Sequence, residues 1–143
     1  MIDESAERIA KTLSDAGLEI YRKEVDCVVL AERVRMHLMD SGVSVRLTAP
    51  PTVRFAVRCQ RSDFPTGEAE ALFERVRVAS SASAETQGFS EVAYQTRQIT
   101  DPMNEQRVLD TWLEIIYERH VGDPSDLTMV VRAALEQPKY IKP

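Results

Sequence analysis

Apolar residues recur along this chain at two different intervals, and each change of interval marks a new element. Ile2, Ala6, Ile9, Leu13, Gly17 and Ile20 follow one another at three- and four-residue steps, the spacing of a helix with one buried face, and Asp3 stands in place to cap it. The same steps link Val28, Ala31, Val34 and Leu38, with Gly42 just beyond as a terminator, so a second helix is expected over 26–39. An alternative stays open there: Val34-Arg35-Met36-His37-Leu38 also alternates, as a strand turning at Asp40-Ser41-Gly42 would.

From Val43 the interval is two. Val43, Val45 and Leu47 alternate with Ser44, Arg46 and Thr48, and after Ala49-Pro50-Pro51 the alternation resumes through Val53, Phe55, Val57 and Cys59. The pattern is a β-hairpin whose prolines sit in the connection, where their missing N–H groups cost no ladder bonds. Phe64-Pro65-Thr66-Gly67 ends it, and Ala69, Leu72, Phe73 and Val76 trace a helix over 68–79 with Thr66 as its cap. The run Ala79-Ser80-Ser81-Ala82-Ser83-Ala84 that follows is either a fraying helix end or a loop, closed by Gly88.

Residues 90–97 alternate again, and 107–117 admit two readings. As a strand, Leu109, Thr111, Leu113, Ile115 and Tyr117 share a face; as a helix, Asp101-Pro102 would start it. The β-branched and aromatic content decides for the strand. Asp123-Pro124 then opens a last helix carrying Leu127, Val130, Val131, Ala134 and Leu135, stopped by Pro138. The expected fold is α+β, an antiparallel sheet of about four strands in two hairpins with helices on one face, in the order α-α-β-β-α-β-β-α.

Composition narrows the function classes. A length of 143 residues suits one domain, 1–143, and 43% apolar with 29% charged residues suits a chain that buries a core. No apolar run approaches the ~20 residues that cross a bilayer, and the acidic start Met1-Ile2-Asp3-Glu4-Ser5 is unlike a secretory signal. The expectation is a cytoplasmic protein without membrane contact. Cys27 and Cys59 lie among valines without a CxxC or nearby His, and are expected as buried thiols rather than ligands. A net charge of −5 disfavours nucleic acid. Residues 43–61 run against that balance, holding Arg46, Arg54, Arg58 and Arg61 with no acid, but no aromatic platform interleaves with them for base stacking.

The sites weighed are few. His37 and His120 have no ligand partners at helical spacing, so no metal or other cofactor is expected, and no nucleophile elbow or glycine-rich phosphate cradle is present. The sheet face opposite the apolar one would carry Arg46, Arg54 and Arg58 together with Asp110, Trp112, Glu114, Ile116 and Glu118. An aromatic and an aliphatic residue among opposite charges suit a protein interface. Trp112, Arg46, Arg54, Arg58, Glu114 and Ile116 are therefore the candidate partner-binding residues of a non-enzymatic adaptor or small chaperone, binding another protein or a second copy as a dimer. In size and charge the chain resembles small acidic secretion chaperones, which also join helices to antiparallel strands and dimerise. The competing reading is a small-ligand sensor or enzyme domain with a pocket between sheet and helices, lined by Tyr94, Arg97 or Tyr117.

Overall fold

The computed structural model describes residues 4–143, so Ile2 and the capping role of Asp3 lie outside the described residues. The elements are α1 (Glu4–Asp15), β1 (Ile20–Lys23), β2 (Cys27–Val34), β3 (His37–Arg46), β4 (Thr52–Gln60), α2 (Ala69–Thr86), β5 (Ser90–Asp101), β6 (Asn104–His120), α3 (Leu127–Glu136) and β7 (Tyr140–Ile141), with single 3-10 turns at Arg61–Asp63 and Pro124–Asp126. Of the seven strands in one sheet, six form its antiparallel path in the order β1-β2-β3-β4-β6-β5, and the short β7 lies off this path, joined to β4 in parallel.

This corrects the four-strand, two-hairpin arrangement and its element order. Residues 26–39 are not a helix; they are most of a β-hairpin, β2 and β3, in which Val34 pairs with His37. The turn between them is Arg35-Met36, both in the left-handed region at φ 52° and 74°. Two such residues make the tight connection whose twist matches a strand pair, and no Gly, Asn or Asp marks it in the sequence. The helical spacing of Val28, Ala31, Val34 and Leu38 was coincidental beside the β-branched run Val25, Val28, Val29. Gly42 terminates no helix. It sits inside β3 at φ +79°, where the β2–β3 register shifts between Val29 and Ala31. The buried Ser41 hydroxyl bridges that break, donating to the Leu30 carbonyl at 2.7 Å and accepting from the Val43 amide at 3.1 Å.

The chain falls into two compact units, residues 1–55 with 118–137, and residues 56–117 with 138–143. In the first, α1 ends at Gly17 (φ +90°), and Ala6 and Ala10 pack on Val28 with Ile9, Ile20 and Leu47 around them. Val28, Val45 and Val53 stand opposite one another across three strands and are fully buried. Each such side chain contributes about 1.5–3 kcal/mol through burial. The Asp123 carboxylate caps the turn before α3 through the Ser125 amide, and Leu127, Val130, Val131 and Ala134 bury the inner face of that helix.

In the second unit α2 is longer than expected, because the Ser/Ala run continues the helix to Thr86. Tertiary contact accounts for this: Ala84 is buried, and Ser81 Oγ lies 3.0 Å from the hydroxyl of the buried Tyr117. Leu113, Ile115 and Tyr117 of β6 alternate with half-buried neighbours, confirming the strand reading of 107–117. Cys27 and Cys59 are buried free thiols. No helix among the described residues is long and apolar enough to cross a membrane.

Candidate functional site

Alternation places the arginines of β3 and β4 away from the valine core, and each compact unit presents its own stretch of this open face. In the first unit Arg46 Nη2 lies 3.4 Å from Asp26, and Arg54 forms an ion pair with Glu118 at 2.7 Å. Between them Thr52 Oγ1 is 2.8 Å from His120 Nδ1 and 2.7 Å from Thr48 Oγ1. His37, in contrast, is exposed.

The second unit holds Arg58, Trp112, Glu114 and Ile116. Arg58 Nε donates to Glu114 Oε2 at 2.8 Å, and Gln95 Nε2 donates to the other oxygen of the same carboxylate at 2.9 Å. Beside this network runs a groove of about 260 Å³ lined by Arg58, Gln95, Arg97, Trp112, Leu113 and Glu114. Trp112 is half-buried, as is Ile116, but Ile116 does not line the groove. Asp110 sits two residues from the indole. Burial pulls its carboxyl up, yet hydrogen bonds from the Ser62 hydroxyl and amide, the Thr111 amide and the Trp112 side chain outweigh that and hold it below the usual carboxylate range.

The six partner-binding candidates therefore divide, Arg46 and Arg54 belonging to one unit and Arg58, Trp112, Glu114 and Ile116 to the other. Tyr94, Arg97 and Tyr117 are not gathered around one pocket either. Tyr117 is buried in the core, Tyr94 lies on the surface under the Arg77 guanidinium at 4.3 Å, and Arg97 lines the groove.

A second cluster was not foreseen. Glu24, Asp26 and Cys27 bring one ligand atom each to within 4.8 Å of one another, a set able to hold a metal ion. All three come from the short connection between β1 and β2 and its first strand residue, so the tight turn assembles them; a Glu-x-Asp-Cys spacing was the signal available, but only once a turn replaces the expected helix. The donors are engaged. Arg22 holds Glu24, Arg46 reaches Asp26, and the Cys27 thiol donates to Glu24 Oε2 at 3.4 Å. Burial, then the neighbouring Glu24 carboxylate, push the Cys27 thiol up to about 11, so in this state it is the neutral SH form. Burial pushes Cys59 up to about 11 as well, with Asp63 and Asp110 adding to it.

Compared with known proteins, the chain matches no family model, no curated protein and no solved structure.

Proposed function

We propose that this protein is a non-enzymatic interaction module, an adaptor or small chaperone, which holds a segment of a partner protein in the groove of the second unit. The supporting observation is the wall of that groove: the chain's single Trp stands half-buried beside a carboxylate already shared by Arg58 and Gln95. An indole in such a place offers apolar area with little rotamer entropy to lose, and the flanking charges fix the register of what lies on it. The bound segment would place a large apolar side chain on Trp112 and polar groups over Arg58 and Glu114. Trp112 also reports on the event. Titration with a pool of short peptides that combine one apolar anchor with flanking charges should shift its emission, and Glu114→Gln should weaken the shift several-fold. Emission that ignores every peptide, or a shift indifferent to Glu114→Gln, refutes the groove as the binding site.

A second reading, a small-ligand or metal-responsive domain, is favoured by the Glu24, Asp26 and Cys27 cluster. It rests on a defined set of donor atoms, where the first rests on the make-up of a surface. A soft ion such as Zn²⁺ would have to displace the thiol proton and loosen the Arg22 and Arg46 pairs. Proton release on Zn²⁺ addition that disappears in Cys27→Ser supports this reading; no release at any pH below the thiol's own titration removes it.

A further inference from the structure

Beside Trp112 the groove of the second unit carries an imbalance of charge. Its ionised walls are Arg58, Arg97 and Glu114. Glu114 has a donor on each oxygen, Arg58 Nε on one and Gln95 Nε2 on the other, so this acid is answered and Arg58 is spent on it. Arg97 makes no hydrogen bond or ion pair among the described residues. Unpaired guanidiniums are ordinary on a surface; this one differs in what stands next to it. The indole of Trp112 is fixed, because its single donor is given to Asp110, and Asp110 is itself held by the Ser62 hydroxyl and amide at 2.7 and 3.0 Å. The groove therefore offers an aromatic surface with no polar need of its own and, beside it, one positive charge without a counterpart.

We propose that the segment held in this groove is acidic: an Asp or Glu side chain of the partner protein takes the Arg97 guanidinium while an apolar neighbour in the same segment lies on Trp112. This rests on the groove being the binding site, as proposed above, and fixes the sign and position of its selecting charge. Guanidinium and carboxylate match in shape and can share two parallel hydrogen bonds, and a ring already in place costs little entropy to cover. Size favours a segment over a free metabolite. The groove measures about 260 Å³, below the roughly 300–1,000 Å³ of pockets that enclose small ligands, and takes one or two side chains of something longer. Charge disfavours a nucleic acid, which needs several free cations along its phosphates, in a chain whose net charge is −5. Glu114, neutralised by Arg58, serves as a wall that keeps Arg58 and Gln95 in position and leaves Arg97 as the group that chooses.

The test uses the full chain and reads the emission of Trp112, its one tryptophan, against short blocked Gly/Ser peptides that carry one Leu and, within three residues of it, one Asp, Asn or Lys. The best Asp peptide should bind about fivefold more tightly than its Asn counterpart, the upper range of an exposed ion pair, and the advantage should shrink at high salt. Arg97→Glu, a change at an exposed position with no bonds to lose, should invert the order, so that Lys is preferred to Asp. No advantage of Asp over Asn in wild type, or an Asp preference that survives Arg97→Glu, overturns the proposal and leaves the groove reading standing; emission that answers to none of the peptides removes both. Phenylacetate binding as tightly as the best Asp peptide overturns it in favour of a small-acid site.

Discussion

The open face of the first unit and that of the second are made from the same residue types and do different things with them. In the first, Arg46 meets Asp26, Arg54 meets Glu118 and Thr52 meets His120, so the polar groups answer one another. In the second, Arg58 and Glu114 are paired, but Arg97 meets no acid among the described residues and an indole stands in the groove wall beside it. A row of guanidiniums is therefore no mark of a binding surface by itself. If the second face binds a partner as proposed, what sets it apart from the self-satisfied one is a group left wanting, together with apolar area next to it.

Along β6 the contrast lies within one strand, between a buried face and a half-buried one. Ile115→Ala, at 0% exposure, should cost about 2–5 kcal/mol of stability in a urea titration, and Trp112→Ala should cost far less; equal losses would mean that the indole is core and the groove no surface at all. Next in size, Trp112→Ala should weaken binding of the captured segment by about 2 kcal/mol in isothermal titration, while Arg54→Ala leaves that binding unchanged. The self-satisfied face is tested by Glu118→Ala, expected to lower stability by at most ~1 kcal/mol, as half-exposed ion pairs do; no change in binding of any ligand should accompany it.

The smallest effect is a pH dependence in the second unit. The Arg77 hydrogen bonds outweigh burial and hold the Glu91 carboxyl below its ordinary value. A depressed folded pKa gives stability that is present above the unfolded value of about 4.3 and is lost as pH falls through the folded one. Thermal melts should therefore drop less steeply on the acid side for Glu91→Gln than for wild type, and parallel curves would show the Arg77 clamp to be thermodynamically idle.

Much of this architecture can be read from the residues, and the exceptions have a physical origin. The hairpin at 43–59 and the last helix follow from unmixed spacing with prolines or a capping acid at their ends, whereas the strand at 107–117 fits both spacings and is legible only through its β-branched and aromatic content. Residues 26–39 misled because a strand buried along five successive positions, Cys27 to Ala31, loses its alternation and satisfies helical spacing equally well. The turn at Arg35-Met36 carries no turn residue. The Ser/Ala run was ambiguous because its helix is decided by Ser81 and Ala84 meeting distant side chains. For the site, alternation alone put Arg58, Trp112 and Glu114 on one face; that Gln95 and Arg97 join them depends on β5 lying beside β6, and that Glu24 joins Cys27 depends on the β1–β2 turn.

Ser41 shows how a side chain can stand in for main chain. Where β3 slips against β2, its hydroxyl does for Leu30 and Val43 what a neighbouring peptide group would do elsewhere, while Gly42 supplies a backbone angle that other residues resist. Apolar positions nearby ask only for volume and shape, whereas this pair is asked for a hydroxyl and a backbone angle open to glycine. Distant kin of the chain should accordingly be recognisable less by their core than by a small hydroxyl followed by glycine, midway along the third strand.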